Sequence, residues 1–190
     1  SFRLDDIRGF GRGKPLLAAV MGIPMFSLAG LPLLNGYVSK TLLHESIVEY
    51  IHLAGGLAWL FTAVEWLFLL TGGLTLAYML KLFVCIFLEE NRQPQRVTAW
   101  REQGRYIAPA SAAVLVCYGA LMPLLGANPN RWMDGIAAFA RHFFQGEAPA
   151  HPVEYFSLVN LRGAAVSLAI GLAVYLLVVR TLLKPRDSSG

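Results

Sequence analysis

The sequence predicts an all-α membrane protein with four transmembrane elements, the first a discontinuous (broken) helix, plus a short interfacial amphipathic helix. Three observations carry that reading. The 190 residues are 56% hydrophobic and 15% charged, with a mean hydropathy of +0.53, against about 45–50% apolar and about 25% charged in a soluble domain. The apolar residues fall in long runs, the pattern of membrane spans. Prolines and glycines interrupt the first run where a lysine follows.

Residues 1–14 form a polar, Gly-rich loop carrying Arg3, Arg8, Arg12 and Lys14. The first apolar segment begins at Pro15, which suits the opening turn of a helix because its missing N–H costs nothing there. Pro24 and Pro32 are expected to interrupt it, and the cluster Gly30, Pro32, Gly36 to end it. A second helical stretch follows to about Leu53, so 15–53 reads as one membrane element in two halves. The next span, 58–88, exceeds the roughly 20 residues a bilayer core needs. Its outer end is expected to project near Glu65, and its inner end to lie between Lys81 and Glu89–Glu90. Further spans are expected at 106–126 and 163–183, with a truncated tail at 184–190. Between them, 131–144 places Trp132, Ile136, Phe139, Phe143 and Phe144 near helical spacing. That segment reads equally as a helix lying in the interface or as one packed on the bundle.

Charge gives orientation. The stretches 1–14, 89–105 and the tail from Arg180 hold eleven Lys and Arg, against three in 51–56 and 127–162. The positive-inside rule puts the first set, and both ends of the chain, in the cytoplasm of a multi-pass protein of the cell inner (plasma) membrane. The basic balance therefore reflects topology, and nucleic acid is not an expected partner; membrane lipid is. No secretory leader is recognisable, and both ends read as cuts from a longer protein. Cys85 and Cys117 sit in apolar runs and are expected to be small buried hydrophobes. No nucleotide loop, metal-ligand cluster or nucleophile–base pair is evident, so no cofactor and no catalysis by the chain itself are expected.

One group stands out. An ionisable side chain inside a membrane element costs about 2.5–3.5 kcal/mol, and Lys40 follows the break by one turn, far from a surface to which it could snorkel. His44 lies one turn further on the same face, with Glu45 and Glu49 beyond. Irregular backbone at membrane depth survives only where protein or water satisfies it, and broken helices mark ion sites in transporters. Lys40, His44 and Glu45 are the candidate proton relay. Glu49 and Glu65 suit either a polar path or an outer surface. Lys81 suits the same path or a snorkelling anchor.

The run Leu4-Asp5-Asp6-Ile7-Arg8-Gly9-Phe10-Gly11-Arg12-Gly13-Lys14-Pro15, then Ser27-Leu28-Ala29-Gly30-Leu31-Pro32-Leu33-Leu34-Asn35-Gly36-Tyr37-Val38-Ser39-Lys40, resembles one family. It is similar to the antiporter-like, proton-conducting subunits shared by respiratory complex I, Mrp-type sodium/proton antiporters and membrane-bound hydrogenases. Ala77 to Phe83 is similar to the family's pattern in the following helix. Leu33 replaces the second proline of the family's pair, and Tyr37 is its aromatic after Gly36. The resemblance implies a C-terminal fragment holding the broken helix of the second inverted repeat, with Lys40 at the family's lysine. It implies a subunit, not itself catalytic, of an NADH:quinone oxidoreductase or hydrogenase, assembled with other membrane subunits and carrying protons. The alternatives are an Mrp-type subunit carrying sodium ions as well, and a non-conducting structural subunit.

Overall fold

The computed structural model describes residues 4–91, 95, 97, 98, 106–146 and 153–182. Arg3, the four arginines of 92–105 and the tail 184–190 lie outside the described residues. Every regular element among the described residues is helical: α1 (Leu4–Ile7), α2 (Pro15–Ala29), α3 (Asn35–Leu53), a 3-10 turn (Gly55–Leu57) leading into α4 (Ala58–Phe87), α5 (Pro109–Ala127), α6 (Pro129–Phe143) and α7 (Leu158–Val174). The chain continues from α7 as a π-helical stretch, Tyr175–Leu182. Gly55–Phe87, Pro109–Ala127 and Leu158–Thr181 are long and apolar enough to cross a membrane, and Pro15–Ala29 is a shorter apolar helix. The protein is an all-α membrane protein.

The helix starts follow from local chemistry. Proline opens α2, α5 and α6 in the first turn, where it is pre-set for helix and gives up no hydrogen bond. α7 starts five residues before the expected 163, because the Ser157 hydroxyl accepts from the Asn160 N–H at 3.3 Å and caps it. Arg162, expected to bound the span, is therefore an exposed residue of its second turn. Pro24 does not interrupt α2 as expected; the helix runs through it to Ala29. A proline removes one backbone bond, and the packing of α2 on α4 and α5 holds the segment helical around it.

α4 and α7 form the central pair. Their backbones touch: a Cβ on Gly73 would lie 2.8 Å from the Ser167 carbonyl oxygen and 2.9 Å from the Gly171 nitrogen. Gly163, Ser167 and Gly171 recur every four residues, which puts a small-residue stripe on the face of α7 turned to α4. Ser167 Oγ donates to the Leu69 carbonyl at 2.9 Å across the same seam. Leu69 meets Ser167, and Gly73 meets Gly171, so the two helices run in the same direction.

The segment that follows α1, residues 8–14, caps the C-terminal end of α4. Gly9 N–H and Gly11 N–H donate to the Cys85 and Ile86 carbonyls at 2.9 and 3.0 Å, satisfying acceptors that a helix end leaves open. Gly9 has φ 71°, and a Cβ there would press on the Glu89 carbonyl at 2.8 Å, so glycine is required at that position. Arg8 pairs with Glu89 at 2.8 Å and Arg12 with Glu90. Lys14 lies over the Tyr106 ring, 4.6 Å from its centroid. Because α7 parallels α4, Arg180 lies toward the same end of the bundle.

At the opposite end, α6 turns Phe139 and Phe143 outward, 82% and 79% exposed. It is tied down by Asp134, whose carboxylate accepts from the Tyr155 hydroxyl at 2.6 Å. Burial, reinforced by that bond, pushes the Tyr155 phenol well above its usual range and keeps it a neutral donor. Cys85 is buried as expected, but Cys117 is exposed. α5 packs on α2 and α3 through one face, and Cys117 lies off that face.

Replacing Gly73 with valine should force α4 and α7 apart. In the full-length protein, Gly73→Val is expected to cost about 1–3 kcal/mol, read as a lower midpoint of thermal unfolding in detergent. Gly56→Ala, where no atom lies within 4 Å of the added carbon, should leave the midpoint unchanged.

Candidate functional site: the lysine at the helix break

The site is built around the gap between α2 and α3. Gly30, at φ 87°, ends α2 in the left-handed conformation that glycine takes without penalty. Its N–H and that of Leu31 fold back onto the Ser27 and Phe26 carbonyls at 2.9 and 3.1 Å. Leu33 also has a positive φ, 71°, a value closed to proline. The family's second proline is therefore incompatible with the backbone found here. α3 then begins alongside the end of α2. The Gly36 N–H donates to Ser27 Oγ at 3.0 Å, Ser27 Oγ lies 2.6 Å from Asn35 Oδ1, and any Cβ on Gly36 would overlap the Ser27 backbone.

Lys40 reaches back across this gap. Its Nζ donates to the Ala29 carbonyl at 3.0 Å, one of the acceptors that the end of α2 leaves open. A cation at a helix C-terminus also meets the negative end of the helix dipole. Gly30 makes the reach feasible, because a Cβ there would lie 2.7 Å from Lys40 Cδ. Gly72 of α4 faces the same ammonium, with room for a Cβ only at 3.4 Å from Nζ. Lys40 has no carboxylate partner among the described residues; its first contact is backbone and cavity.

That cavity is lined by Lys40, Thr41, His44, Gly72, Asn160 and Ser167, with Tyr37 and Phe68 closing its sides. It offers about 30 Å³ to the centres of water molecules, and one water needs roughly 10–15 Å³ by the same measure. Tyr37 is 1% exposed, stacks on Phe156 at 5.6 Å and donates its hydroxyl to the Tyr155 carbonyl at 2.8 Å. These contacts seat the start of α3 against the loop before α7.

Beyond Lys40 the polar groups continue. His44 is buried, with Nε2 3.2 Å from Glu65 Oε1 and Nδ1 3.5 Å from Asn160 Oδ1. Its ring stacks on Phe68 at 6.2 Å, and Gly163 leaves space for it, since a Cβ there would lie 2.9 Å from the ring. Asn160 Nδ2 donates to Glu45 Oε1 at 2.8 Å and to the Glu154 carbonyl at 3.1 Å. Lys40, His44, Glu45 and Glu65 are thus brought into one region. Glu49 is exposed and away from it, and Lys81 is half-buried on α4 toward the loop end, outside the cavity lining. α4 rises about 22 Å from Phe87 to Gly72 and about 33 Å to Glu65, so the cluster extends from Lys40 away from the basic loops.

Sequence reasoning missed Asn160, which joins α3 to α7. A polar amide inside an apolar helix was the available signal. It also missed Ser167 and Gly72, which the four-residue spacing of small residues on α7 marks.

The family model for NADH:quinone oxidoreductase/Mrp antiporter transmembrane subunits matches residues 1–68, which include the break and Lys40. The chain is 29% identical over 137 residues to the NADH-quinone oxidoreductase subunit N of Cereibacter sphaeroides, covering 72% of this chain and 26% of that protein. It is 31% identical over 138 residues to the subunit N of Polaromonas naphthalenivorans, covering 70% and 24%. A third subunit N, from Rhodopseudomonas palustris, is 41% identical over 46 residues, covering 24% and 10%. The chain thus spans about a quarter of the length of the first two relatives. No solved structure matches it.

Gly30→Ala tests the geometry of the break. A left-handed alanine costs about 1–2 kcal/mol, and its methyl would press on the Lys40 side chain. The full-length variant is expected to lose more than that in thermal unfolding, because the contact with Lys40 adds to the backbone cost. Gly13→Ala, also at positive φ but with nothing within 4 Å, should show the backbone cost alone.

Proposed function

We propose that this chain, which matches the NADH:quinone oxidoreductase/Mrp antiporter family of membrane subunits over residues 1–68 and resembles subunit N proteins over most of its length, is part of a proton-translocating, antiporter-like subunit of a redox-driven membrane complex. Lys40 is its proton relay. One observation carries this reading. An ammonium within a broken membrane helix is held by a single backbone carbonyl beside a cavity with room for water. Such a group can release and regain a proton without breaking an ion pair, since –NH2 still donates to Ala29 and its new lone pair accepts from water. A lysine held only to anchor helices would be expected to face a carboxylate.

His44 and Glu45 continue the polar route from Lys40. The basic loops lie on the cytoplasmic side, so the cluster opens toward the opposite face of the membrane. Electron transfer, and any redox cofactor, belongs to partner subunits, with which this subunit assembles in the inner membrane. The three relatives, each a subunit N of an NADH-quinone oxidoreductase, support that complex over a sodium/proton antiporter or a hydrogenase.

The test is Lys40→Ala in the full-length subunit, assembled with its partners and reconstituted in vesicles. Proton translocation is expected to fall at least tenfold while the amount of assembled complex holds. Wild-type translocation by the variant sinks the proposal. Translocation that requires sodium would move the chain to the antiporter reading.

A further inference from the structure

Asn160 is on neither the broken helix nor α4, yet it decides how the imidazole between them is used. Its carboxamide has two N–H bonds, and both have acceptors: Glu45 Oε1 at 2.8 Å and the Glu154 carbonyl at 3.1 Å. The amide therefore cannot rotate by half a turn without losing both bonds and setting its oxygen against a carboxylate. Oδ1 stays turned to His44 Nδ1. An amide oxygen only accepts, so Nδ1 is the ring nitrogen that carries a hydrogen. In the neutral ring the other nitrogen, Nε2, then holds a lone pair, and it points at Glu65 Oε1 from 3.2 Å. A lone pair and a carboxylate oxygen repel at that distance unless a proton lies between them.

The geometry points to a second proton station in this protein: His44 Nε2 and Glu65 Oε1 share one proton, and Asn160 is the positioning residue that fixes the imidazole for it. This rests on the reading of Lys40 as a relay and adds the group that receives its proton. Lys40 and His44 lie one turn apart and line the same cavity. When an N–H bond of the Lys40 ammonium breaks, the proton crosses cavity water to the emptied pair, leaving Lys40 neutral. Glu65 is 25% exposed, against 7% for His44, so it is the member that releases the proton outward, leaving the neutral imidazole and the carboxylate. Each cycle moves one proton and consumes no other reactant. The charged and titratable groups around His44 are Lys40 and Glu45 on its own helix and Glu65 on α4; α7 contributes the neutral Asn160. Phe68 and Gly163 fill the remaining faces of the ring.

The full-length subunit with ¹⁵N-labelled histidine, studied by solid-state NMR in lipid, reports the ring directly, with His44→Gln identifying its signals. Nδ1 is expected to be protonated in every state, and Asn160→Leu is expected to let the Nε2–H form appear. A wild-type His44 with Nε2–H and a bare Nδ1 overturns the proposal, and the state of the ring is read in the wild-type protein itself. In vesicles, Glu65→Gln and Asn160→Leu are expected to lower proton translocation about tenfold. If Lys40→Ala abolishes translocation while Glu65→Gln runs at the wild-type rate, the station is wrong and the Lys40 reading stands. If Lys40→Ala runs at the wild-type rate, both fall.

Discussion

The hydrogen bond from Lys40 to the Ala29 carbonyl is the contact on which the site depends. A helix broken at membrane depth leaves carbonyls that lipid cannot satisfy. A lysine at the same depth carries a charge that lipid cannot solvate. Each cost is severe alone, and here each is offset by the other. The geometry that permits this is narrow. Gly30 must turn left-handed and offer no side chain to the lysine stem, and Gly36 must let α3 start against the Ser27 backbone. The break and the lysine are thus one structural unit.

The rest of the bundle can be understood as support for that unit. α4 presents Gly72 to the ammonium, and α7 can approach α4 closely enough to close the cavity only because its facing residues are small. The segment 8–14 holds the other end of α4 by its exposed carbonyls. Tyr37, fixed between Phe156 and the Tyr155 carbonyl, sets where α3 begins. These contacts lie in different parts of the chain, but each bears on the position of the same few polar atoms.

What the sequence made legible follows from where the information lies. The break was readable because Gly30, Pro32 and Gly36 act on their own backbone. Lys40 was readable because its cost in an apolar run is independent of its neighbours. Pro24 misled because a proline's local effect can be overridden by packing, which sequence does not display. Glu65 remained ambiguous between surface and path, since only the seating of α3 on α4 sets it against His44. Asn160 offered only the signal of a polar amide at the head of an apolar helix; its role depends on α7 running alongside α4, a relation formed across more than 90 residues of chain. Cys117 went wrong likewise, because an apolar run says that a residue avoids water and not whether it meets protein.

The parallel course of α4 and α7 has a bearing on how the site comes into being. Two neighbouring helices that cross in the same direction must be separated by a return crossing, supplied here by α5, with α6 lying at the far end before α7 begins. α3 and α4 emerge before α7 and can bring Lys40, His44 and Glu65 together first. Asn160, Ser167 and the wall they form arrive only with α7. Until then the cavity is a cleft open along one side, in which the imidazole has no amide to orient it. The arrangement of Lys40, His44, Glu65 and Asn160 is therefore completed only when α7 inserts, while the lysine is already in the bilayer.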